Sequence, residues 1–571
     1  MATETTTIDP VSRIEGHLRV ELEVEDGKVT NAWTSAGLFR GMELILENRT
    51  PHDAALICQR ICGVCPVSHS NTSTIAAEKA LGMHPAEGGR IIRNLVEFGQ
   101  FMYSNITWFY VLNGLDYCNP IDAVSADPKA ALDAAIDAGT STFDAENLRQ
   151  RLENFANNGQ LSIFSGNWFD AQDADGNSAY HLSPEQNLIV TDHYLEAIEM
   201  QAKAAEITAI MGGKMPHVTT FIPGGTAFVP TAEKIDDIKF RVDEIAAWVK
   251  KTIWPDVKIL ANAYSDGFSY GKSCGHLGAW GVFETASYDP VDRYEPAGVL
   301  VANDDHSDWT LEEVDPRKIA EHTGHAFYKD HDPADPLQGI TEPWYPEEGA
   351  THDGKYSWCK APRYDGKPME VGSLARVLVL YKRMQQLGVT SVDQDPRYRM
   401  VELVDELLEA LGHSGDLKVL DSVTGRIAAR ACETVYLAEM FQYEVNNLIE
   451  YMAGGGDDWY SKPTNDSGTG EGMWEAPRGA LYHNETVDKD NITKYQIVIP
   501  STWNLGPRDD SDQLGPLESS LIGTEVVDIQ KPIKCLRIIH SFDPCTACSV
   551  HIFEPKTGRE FNTVESPWGV R

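Results

Sequence analysis

Apolar and polar residues recur with two different periods along this chain. Near the N-terminus, the stretch HLRVELEVEDGKVTNAWTS alternates around Asp26-Gly27, which predicts a β-hairpin. Helical spacing then dominates, and we expect helices over residues 89–115, 188–212, 231–264, 371–387, 396–411 and 425–453. Several of these segments are apolar on nearly every face, as in helices buried within a bundle. The pattern predicts an α+β protein with a large, mainly helical bundle core and smaller β-rich N-terminal and peripheral segments.

Segments of different character interrupt the helical pattern. Residues 120–187 are rich in Asp, Ala and Asn, residues 300–356 in Asp, His and Pro, and residues 453–472 in Gly, Asp and Ser, so we expect surface excursions there. The GTGEG stretch lacks the Lys-Ser/Thr of a phosphate loop and is predicted to be a flexible loop. The stretch KPIKCLRIIHSF is predicted to be strand-like or tightly buried, and it ends at the turn signal Asp543-Pro544.

Composition excludes several classes of partner. The 571-residue chain is 42% hydrophobic, enough to bury a large core, and carries a formal net charge of -38 at pH 7. This charge would repel phosphate backbones and anionic headgroups, which argues against binding to nucleic acid or directly to a membrane surface. No apolar run approaches membrane-spanning length, and MATETTTIDPVSRIEGH has no basic segment followed by an apolar one. We therefore expect any export or membrane attachment to come from elsewhere.

Two CxxC pairs carry the candidate chemistry. The first lies in RICGVCPVSHS (60–70), at a predicted helix break, and the second in DPCTACSVH (543–551). Their four sulfurs suit a soft or borderline metal. A zinc ribbon is disfavoured because its pairs are usually separated by roughly 15–20 residues, whereas these two pairs lie near opposite ends of the chain. A zinc ion that joins the two ends of the chain, or two independent redox pairs, remain alternatives. The other six cysteines have no partner spacing and are interpreted as small buried hydrophobes: Cys58, Cys118, Cys274, Cys359, Cys432 and Cys535.

The residues around these pairs resemble the two metal-binding motifs of nickel-iron hydrogenase large subunits, R-x-C-G-x-C-x-x-x-H and D-P-C-x-x-C-x-x-H. Further segments resemble the same family in the same order, so the resemblance covers nearly the whole chain: RIEGH (13–17), FRGMELIL (39–46), GGKMPHVTTFIPGG (212–225), KAPRYDGKPMEVGSLAR (360–376), EAPRGALYH (475–483) and IPSTWN (499–504).

The resemblance implies a nickel-iron centre that splits dihydrogen heterolytically. Cys62 and Cys545 would bind nickel terminally, while Cys65 and Cys548 would bridge nickel to an iron that carries carbon monoxide and cyanide. Cys545 would be the first proton acceptor. Without the resemblance, the spacing of the two pairs favours a tetrathiolate metal site but does not identify the metal.

Three further residues would act on the proton and on charge at this centre. Glu15 matches the family's relay glutamate, although alone it would pass as a strand-end acid. Arg478 matches the arginine that the family suspends over the metals, with Asp543 as its expected partner, and a plain salt bridge is the alternative. In place of an acid that the family often has beside this arginine, the chain has Ser104.

Other matches would support the metals. The resemblance implies that His69 hydrogen-bonds the bridging sulfur of Cys65, and that Ser501, together with Pro477 and Arg478, surrounds the cyanides. Glu43, His551 and the carbonyl of Ile497 would bind magnesium, or sometimes iron, at a separate C-terminal site.

The resemblance also implies an organisation for the chain. Residues 1–551 would form one catalytic unit, with a β-rich segment at 1–50, a helical core at 51–453 with loop insertions at about 120–187 and 300–356, and a segment at 454–551 that closes the metal site. Residues 552–571 would be an extension that a maturation endopeptidase removes after nickel-delivery proteins have loaded the site. A retained tail is the alternative.

The six scattered cysteines lack iron-sulfur cluster spacing, so electrons need another protein. The family implies an iron-sulfur small subunit, and we also expect a membrane cytochrome b as a partner in respiratory hydrogen uptake. We expect an extracytoplasmic, periplasmic-side complex that is membrane-associated through its partners, with a cytoplasmic complex as the alternative. Two other functions are alternatives: a quinone-reductase relative, against which the four cysteines argue because that family lacks them, and a non-enzymatic scaffold with structural zinc.

Overall fold

Helices are the main regular structure of the computed structural model, which describes residues 3–164, 168–303, 308–347 and 349–546. The α-helices in these ranges are α1 Met42–Leu46, α2 Pro51–Ile57, α3 Pro66–Ala80, α4 Glu87–Thr107, α5 Pro128–Ala138, α6 Ala145–Asn157, α7 Pro184–Gly212, α8 Ala232–Lys251, α9 Ile253–Ala263, α10 Ser373–Leu387, α11 Arg399–Ala410, α12 Val423–Ala453, α13 Pro500–Leu505, α14 Pro516–Leu521 and α15 Ile533–Ser541.

The strands form small sheets around these helices. They are β1 Glu4–Ile8, β2 Leu18–Glu25, β3 Lys28–Ala36, β4 Phe221–Ile222, β5 Gly225–Thr226, β6 Leu277–Ala279, β7 Gly298–Ala302, β8 Trp309–Glu312, β9 Ile319–His322, β10 Ala361–Tyr364, β11 Glu370–Val371, β12 Gly468–Ala476, β13 Gly479–Asp488 and β14 Asn491–Val498. Strand orders are β1-β2-β3, β11-β6-β7-β8 and β12-β13-β14, with β9/β10 and β4/β5 as separate pairs. All pairs are antiparallel except β11/β6.

The predicted N-terminal hairpin is confirmed as β2 and β3. Asp26 and Gly27 both have positive φ, 50° and 72°, as a tight turn between antiparallel strands requires. Along β2, every second side chain is buried, which explains the alternating pattern of the sequence.

The predicted helical bundle is also confirmed. Helix α4 packs against α7 and α12, and α8 packs against the same two helices. Nearly every residue of α4 and most of α12 are buried, which accounts for their lack of a polar face. Together with the sheets, this bundle confirms the α+β class. Within the described ranges, no helix is both long and apolar enough to cross a bilayer.

The sequence suggested that the insertion at 120–187 is a loop, but the structure contains helices there. It contains α5 and α6, whose N-caps Asp127 and Asp144 accept hydrogen bonds from backbone N–H groups. Leu148 and Leu152 of α6 pack on Leu188 in a small apolar cluster. The many Asp residues here are therefore helix caps and exposed positions. The insertion at 300–356 likewise contains β8 and β9.

The predicted helix over 231–264 is interrupted at Thr252, which separates α8 from α9. Pro255 causes the interruption, because its ring would clash with the carbonyl of residue 251 in a continuous helix. That carbonyl, on Lys251, instead accepts a hydrogen bond of 2.8 Å from Thr140 Oγ1. Because the Thr140 hydroxyl donates its proton to this carbonyl, Thr140 Oγ1 accepts a hydrogen bond from His193 Nε2, at 3.1 Å.

His193 is expected to make stability depend on pH. Its Nδ1 lies 2.8 Å from Asp256, both side chains are fully buried, and although burial lowers the pKa of His193, Asp256 raises it above its ordinary value. The stabilisation is therefore complete below the unfolded-state pKa of about 6.5 and is lost as pH rises through the higher folded-state pKa. We expect His193→Gln to cost about 3 kcal/mol below that window and less above it. Urea unfolding across pH checks this, and a pH-independent cost would contradict it.

The GTGEG stretch is the start of β12, so its prediction as a flexible loop is wrong. Its alternate glycines face α3: a Cβ on Gly470 would lie 2.0 Å from the Ala76 carbonyl oxygen, and one on Gly472 would lie 2.1 Å from that of Thr72. Glycine is required here by close backbone approach. The contact joins α3, which begins beside Cys65, to the strand that leads to Arg478.

The segment KPIKCLRIIHSF is buried as predicted, but it is the helix α15 and not a strand. Pro532 precedes the helix, and Ile533, Leu536 and Arg537 follow helical spacing. The helix has only nine residues, and its polar residues Arg537, His540 and Ser541 are buried together with the apolar ones, so the segment was difficult to distinguish from a buried strand.

Candidate metal centre

Three of the four motif cysteines converge in the core. Cys62, Cys65 and Cys545 are buried, and their Sγ atoms all lie within 4.8 Å of one another. The Sγ atoms of Cys62 and Cys545 are 3.3 Å apart, although 483 positions separate them in the sequence. Cys548 lies outside the described residues.

The first pair is shaped by a break between helices. A 3-10 turn over Cys58–Ile61 ends at Cys62, which is extended, and Cys65 is the N-cap of α3. Pro66 occupies the first turn of α3, where its missing N–H costs nothing. The backbone N–H groups of Val64 and Cys65 donate to Cys62 Sγ, both at 3.3 Å. This arrangement favours a thiolate at Cys62.

The cluster fits a soft metal cation. Contacts with the Cys545 and Cys62 thiols, and burial, raise the pKa of Cys65 well above its ordinary value. Crowded thiols of this kind cannot all ionise together without a compensating positive charge. A divalent metal supplies that charge and deprotonates its ligands, and sulfur donors match nickel and iron better than magnesium or calcium.

Cys545 is held by two segments from elsewhere in the chain. Thr546 N donates to Glu15 O at 2.7 Å and Glu15 N donates to Pro544 O at 3.3 Å, which forms a short parallel β-bridge. Cys545 N donates to Ser501 Oγ at 3.0 Å. Burial and the neighbouring Cys62 raise the pKa of the Glu15 carboxyl, while Arg478 partly lowers it. Glu15 therefore lies beside the cysteine cluster with increased affinity for a proton.

Arg478 lies in the two-residue turn between β12 and β13, directly after Pro477. It is 2% exposed, and its Nη2 lies 2.9 Å from Asp543 Oδ1. This contact is an ion pair without hydrogen-bond alignment, and the guanidinium has no hydrogen-bond acceptor among the described residues. Burial lowers the pKa of Arg478, but Asp543 and the three cysteines raise it well above its usual range. A charged donor thus stands ready beside the cluster.

Arg430 on α12 is a second arginine at this site and was not predicted. Its Nη1 donates to Asp543 Oδ2 at 2.9 Å, so Asp543 joins the two guanidinium groups. Ser104, in place of the family's acid, is buried and its Oγ has no hydrogen-bond partner among the described residues.

His69 lies one turn into α3, fully buried, where burial lowers its pKa to about 4. Its Nδ1 is 3.3 Å from His483 Nε2, and His483 Nδ1 is 2.7 Å from Tyr495 Oη. His69 Nε2 has no hydrogen-bond partner among the described residues. Sequence reasoning missed His483 and Tyr103. Burial raises the pKa of Tyr103; Arg478 lowers it, whereas Cys62 and Glu15 raise it.

Glu43 and Ile497 meet at a separate place. Ile497 N donates to Glu43 Oε1 at 3.0 Å, and Thr341 Oγ1 donates to Oε2. The carbonyl of a strand residue points to the same side as its N–H, so the Ile497 oxygen also faces Glu43. Burial raises the pKa of the Glu43 carboxyl. The charge of Lys360 lowers this pKa in part, and that of Glu321 raises it further. Oxygen donors around a buried carboxyl suit magnesium. The third predicted ligand, His551, and the tail 552–571 lie outside the described residues.

Comparisons with known proteins agree with this geometry. The profile of the family described as nickel-dependent hydrogenase matches residues 40–551, and a HoxL-like profile matches residues 5–35. The chain is 36% identical to the hydrogenase-2 large chain of Escherichia coli K12, with 96% of this chain and 97% of that protein covered. It is 35% identical to the uptake hydrogenase large subunit of Bradyrhizobium diazoefficiens, with 98% and 96% covered.

Solved structures show the same similarity. The Ni-Fe-Se hydrogenase of Desulfovibrio vulgaris Hildenborough, in its as-isolated oxidised state, matches with a TM-score of 0.77 and 32% identity, covering 96% of this chain and 100% of that chain. The cysteine cluster, the full-length similarity and the shared fold lead to one conclusion: the chain belongs to the nickel-dependent hydrogenase family and is a catalytic large subunit.

Proposed function

We propose that this large subunit splits dihydrogen heterolytically at a nickel-iron pair held by Cys62, Cys65, Cys545 and Cys548, in the direction of hydrogen uptake. The observation that carries the proposal is the convergence of three buried cysteines beside an arginine whose donors have no hydrogen-bond acceptor among the described residues. The uptake role is supported by the name of the Bradyrhizobium relative. Residues 1–551 act as one catalytic unit in this proposal.

When bound, the nickel-iron pair, with carbon monoxide and cyanide on the iron, supplies the site at which dihydrogen is polarised and cleaved. Cys545 accepts the released proton on its sulfur. Glu15 receives that proton next, because its backbone is paired with the Cys545 segment and its raised pKa favours protonation at the buried site.

Arg478 supplies fixed positive charge beside the reacting atoms, and Asp543 orients it. Ser501 holds the Cys545 backbone, and with Pro477 it borders the space for the iron's cyanides. His69, whose Nε2 has no hydrogen-bond partner among the described residues, would donate a hydrogen bond to the Cys65 sulfur once the metals are bound and so tune the metal.

A second ion, magnesium or iron, completes the proposal at the C-terminal site. Glu43 and the Ile497 carbonyl supply oxygen donors, and His551 supplies a nitrogen. Bound there, such an ion would link His551 to β14.

Electrons leave through partners. Among the described residues, the three cysteines of the centre are the one cluster of three or more His, Cys, Asp or Glu side chains within metal-binding distance, so no separate cysteine cluster there could hold an iron-sulfur relay. An iron-sulfur small subunit accepts the electrons, and a membrane cytochrome b attaches the complex on the extracytoplasmic, periplasmic side. A cytoplasmic complex is the alternative location.

Metal analysis with infrared spectroscopy tests the function. The purified complex is expected to contain nickel and iron and to show carbonyl and cyanide bands in a region where proteins do not absorb. Removal of the metals should abolish hydrogen uptake. A zinc-loaded chain without nickel would contradict the proposal and favour the structural scaffold.

The tail gives a separate prediction. A maturation endopeptidase is expected to cut between His551 and Ile552 after nickel-delivery proteins have loaded the centre. Active enzyme should then end at His551, and blocked nickel delivery should accumulate the form of 571 residues. Intact-mass spectrometry decides this, because a full-length chain with bound nickel and normal turnover would mean that cleavage is not part of maturation.

A further inference from the structure

Three distant segments meet at the buried carboxylate of Asp116, a group with no part in the proposed chemistry. Arg13 Nη2 donates to Asp116 Oδ1, and His540 Nδ1 donates to Asp116 Oδ2 at 2.6 Å. Asp116 is 0% and His540 1% exposed. We call Arg13, Asp116 and His540 the Asp116 knot.

The knot carries three charges. The other nitrogen of His540, Nε2, lies 2.7 Å from the carbonyl oxygen of Ser12. That oxygen and the Asp116 carboxylate can only accept, so both ring nitrogens donate and His540 is an imidazolium. Burial would raise the pKa of Asp116, but Arg13 and His540 hold it well below its usual range. A buried ionic group of this kind is weak evidence for stability, because the cost of removing its charges from water offsets much of their attraction.

Backbone carbonyl groups of the knot also accept hydrogen bonds from side chains around it. Arg537 Nε and Nη2 donate to the Asp116 carbonyl at 3.0 and 2.8 Å, and Trp108 Nε1 donates to the His540 carbonyl at 3.0 Å. Arg13 Nη1 donates to the Leu112 carbonyl at 2.8 Å. The knot is therefore a fixed point for the chain on both sides.

Each outer member of the knot leads directly to the metal centre. Arg13 is followed by Glu15, and His540 at the end of α15 is followed by Asp543 and Cys545. The two following segments are joined to each other by the short bridge between Glu15 and Cys545, whose hydrogen bonds measure 2.7 and 3.3 Å. One carboxylate thus anchors both segments of the bridge just before they reach the centre.

We propose that the Asp116 knot is a positioning device for proton transfer, in which Asp116, Arg13 and His540 set the register of Glu15 against Cys545. The inference rests on the proposed role of Glu15. Proton transfer needs heavy atoms about 2.6–3.2 Å apart, and a displacement of about 1 Å can cost about 100-fold in rate. The bridge has only two backbone hydrogen bonds of its own, and the Asp116 knot anchors the segments on both sides of it.

The test uses Asp116→Asn in the complete, metal-loaded complex. Asparagine keeps the shape and removes the charge that holds Arg13 and His540. We expect hydrogen uptake and the exchange of dihydrogen with deuterated solvent to fall about 10-fold or more, while nickel content and the infrared bands stay unchanged. If Asp116→Asn does not fold, Arg13→Lys replaces it, because Arg13 is partly exposed, at 24% for its side chain, and the substitution keeps the charge but loses the two-armed contact.

The same substitution in a Glu15→Gln background separates positioning from general damage. If the knot acts through Glu15, the second substitution should change the residual rate by less than about twofold. The matched control is Asp256→Asn, which breaks an equally buried Asp-His pair between α9 and α7. It should lower stability but leave the turnover of folded enzyme within about twofold.

Two results would overturn the inference: near-normal exchange in both knot variants, or an equal fold loss with and without Glu15. Failure of the proposed function has a different signature, since the parent complex would then lack nickel, or Glu15→Gln alone would turn over normally.

Discussion

Serine at Cys62, Cys65 or Cys545 should abolish hydrogen turnover and nickel binding. Each sulfur lies in the buried group whose Sγ atoms are within 4.8 Å of one another, so each loss removes a ligand that no neighbour replaces. A hydroxyl is a hard donor that stays protonated at neutral pH, whereas nickel in this setting requires thiolates. We expect the rate to fall by about 10⁴-fold or more, measured as hydrogen uptake beside nickel content. Cys548→Ser should behave in the same way.

The chain provides a matched control for these variants. Cys118 is equally buried, but its Sγ contacts Thr191 Oγ1 at 3.7 Å and belongs to no metal-binding group among the described residues. Cys118→Ser keeps a hydrogen-bonding atom there and should retain turnover within about twofold. Full nickel occupancy with normal uptake in any one of the metal-site variants would refute the ligand assignment.

Glu15→Gln should block turnover without preventing assembly of the centre. Glutamine preserves the shape of the side chain and the β-bridge of its backbone to Cys545, but it cannot carry the proton. General acid-base groups contribute about 100-fold to 10,000-fold, and we expect a loss in that range. Activity and the infrared spectrum are measured on the same sample, so that metal loss and slow proton transfer are distinguished.

Glu25→Gln is the control for this substitution. Glu25 ends strand β2 of the N-terminal sheet, is exposed, and accepts a hydrogen bond from Thr3. Its variant should leave turnover unchanged. Near-normal turnover in Glu15→Gln would remove Glu15 from the proton path, whatever the state of the metals.

The spacing of apolar residues and the residue types at turns were enough to predict much of the fold. The β2–β3 hairpin was predictable because one face is buried and Asp26-Gly27 suits its turn. Helix α15 was not, because its nine residues are too few for a clear period and a short buried apolar run can belong to a strand or a helix. The glycines of β12 were wrongly predicted to form a loop. Glycine is required there because the backbone of α3, which is distant in sequence, packs directly against the strand.

The centre shows the same limit. Cys62 and Cys545 could be assigned only because short motifs around them resemble a family, since spacing alone left zinc and redox alternatives open. Arg430 could not be assigned, because nothing within α12 indicates that Asp543 will lie beside it. Asp116 was likewise invisible, as its partners come from two other regions of the chain.

The contact between Cys62 and Cys545 also fixes an order of events during protein synthesis. Because 483 positions separate the two cysteines, the first pair leaves the ribosome long before its partner exists. At 5–20 residues per second, the delay is roughly 25–100 s. Throughout that interval Cys62 and Cys65 are thiols without their later neighbours, open to whatever metal or oxidant the nascent chain meets. Selection of the correct metal therefore depends on timing in the cell as well as on the ligands, and slower translation lengthens the exposure.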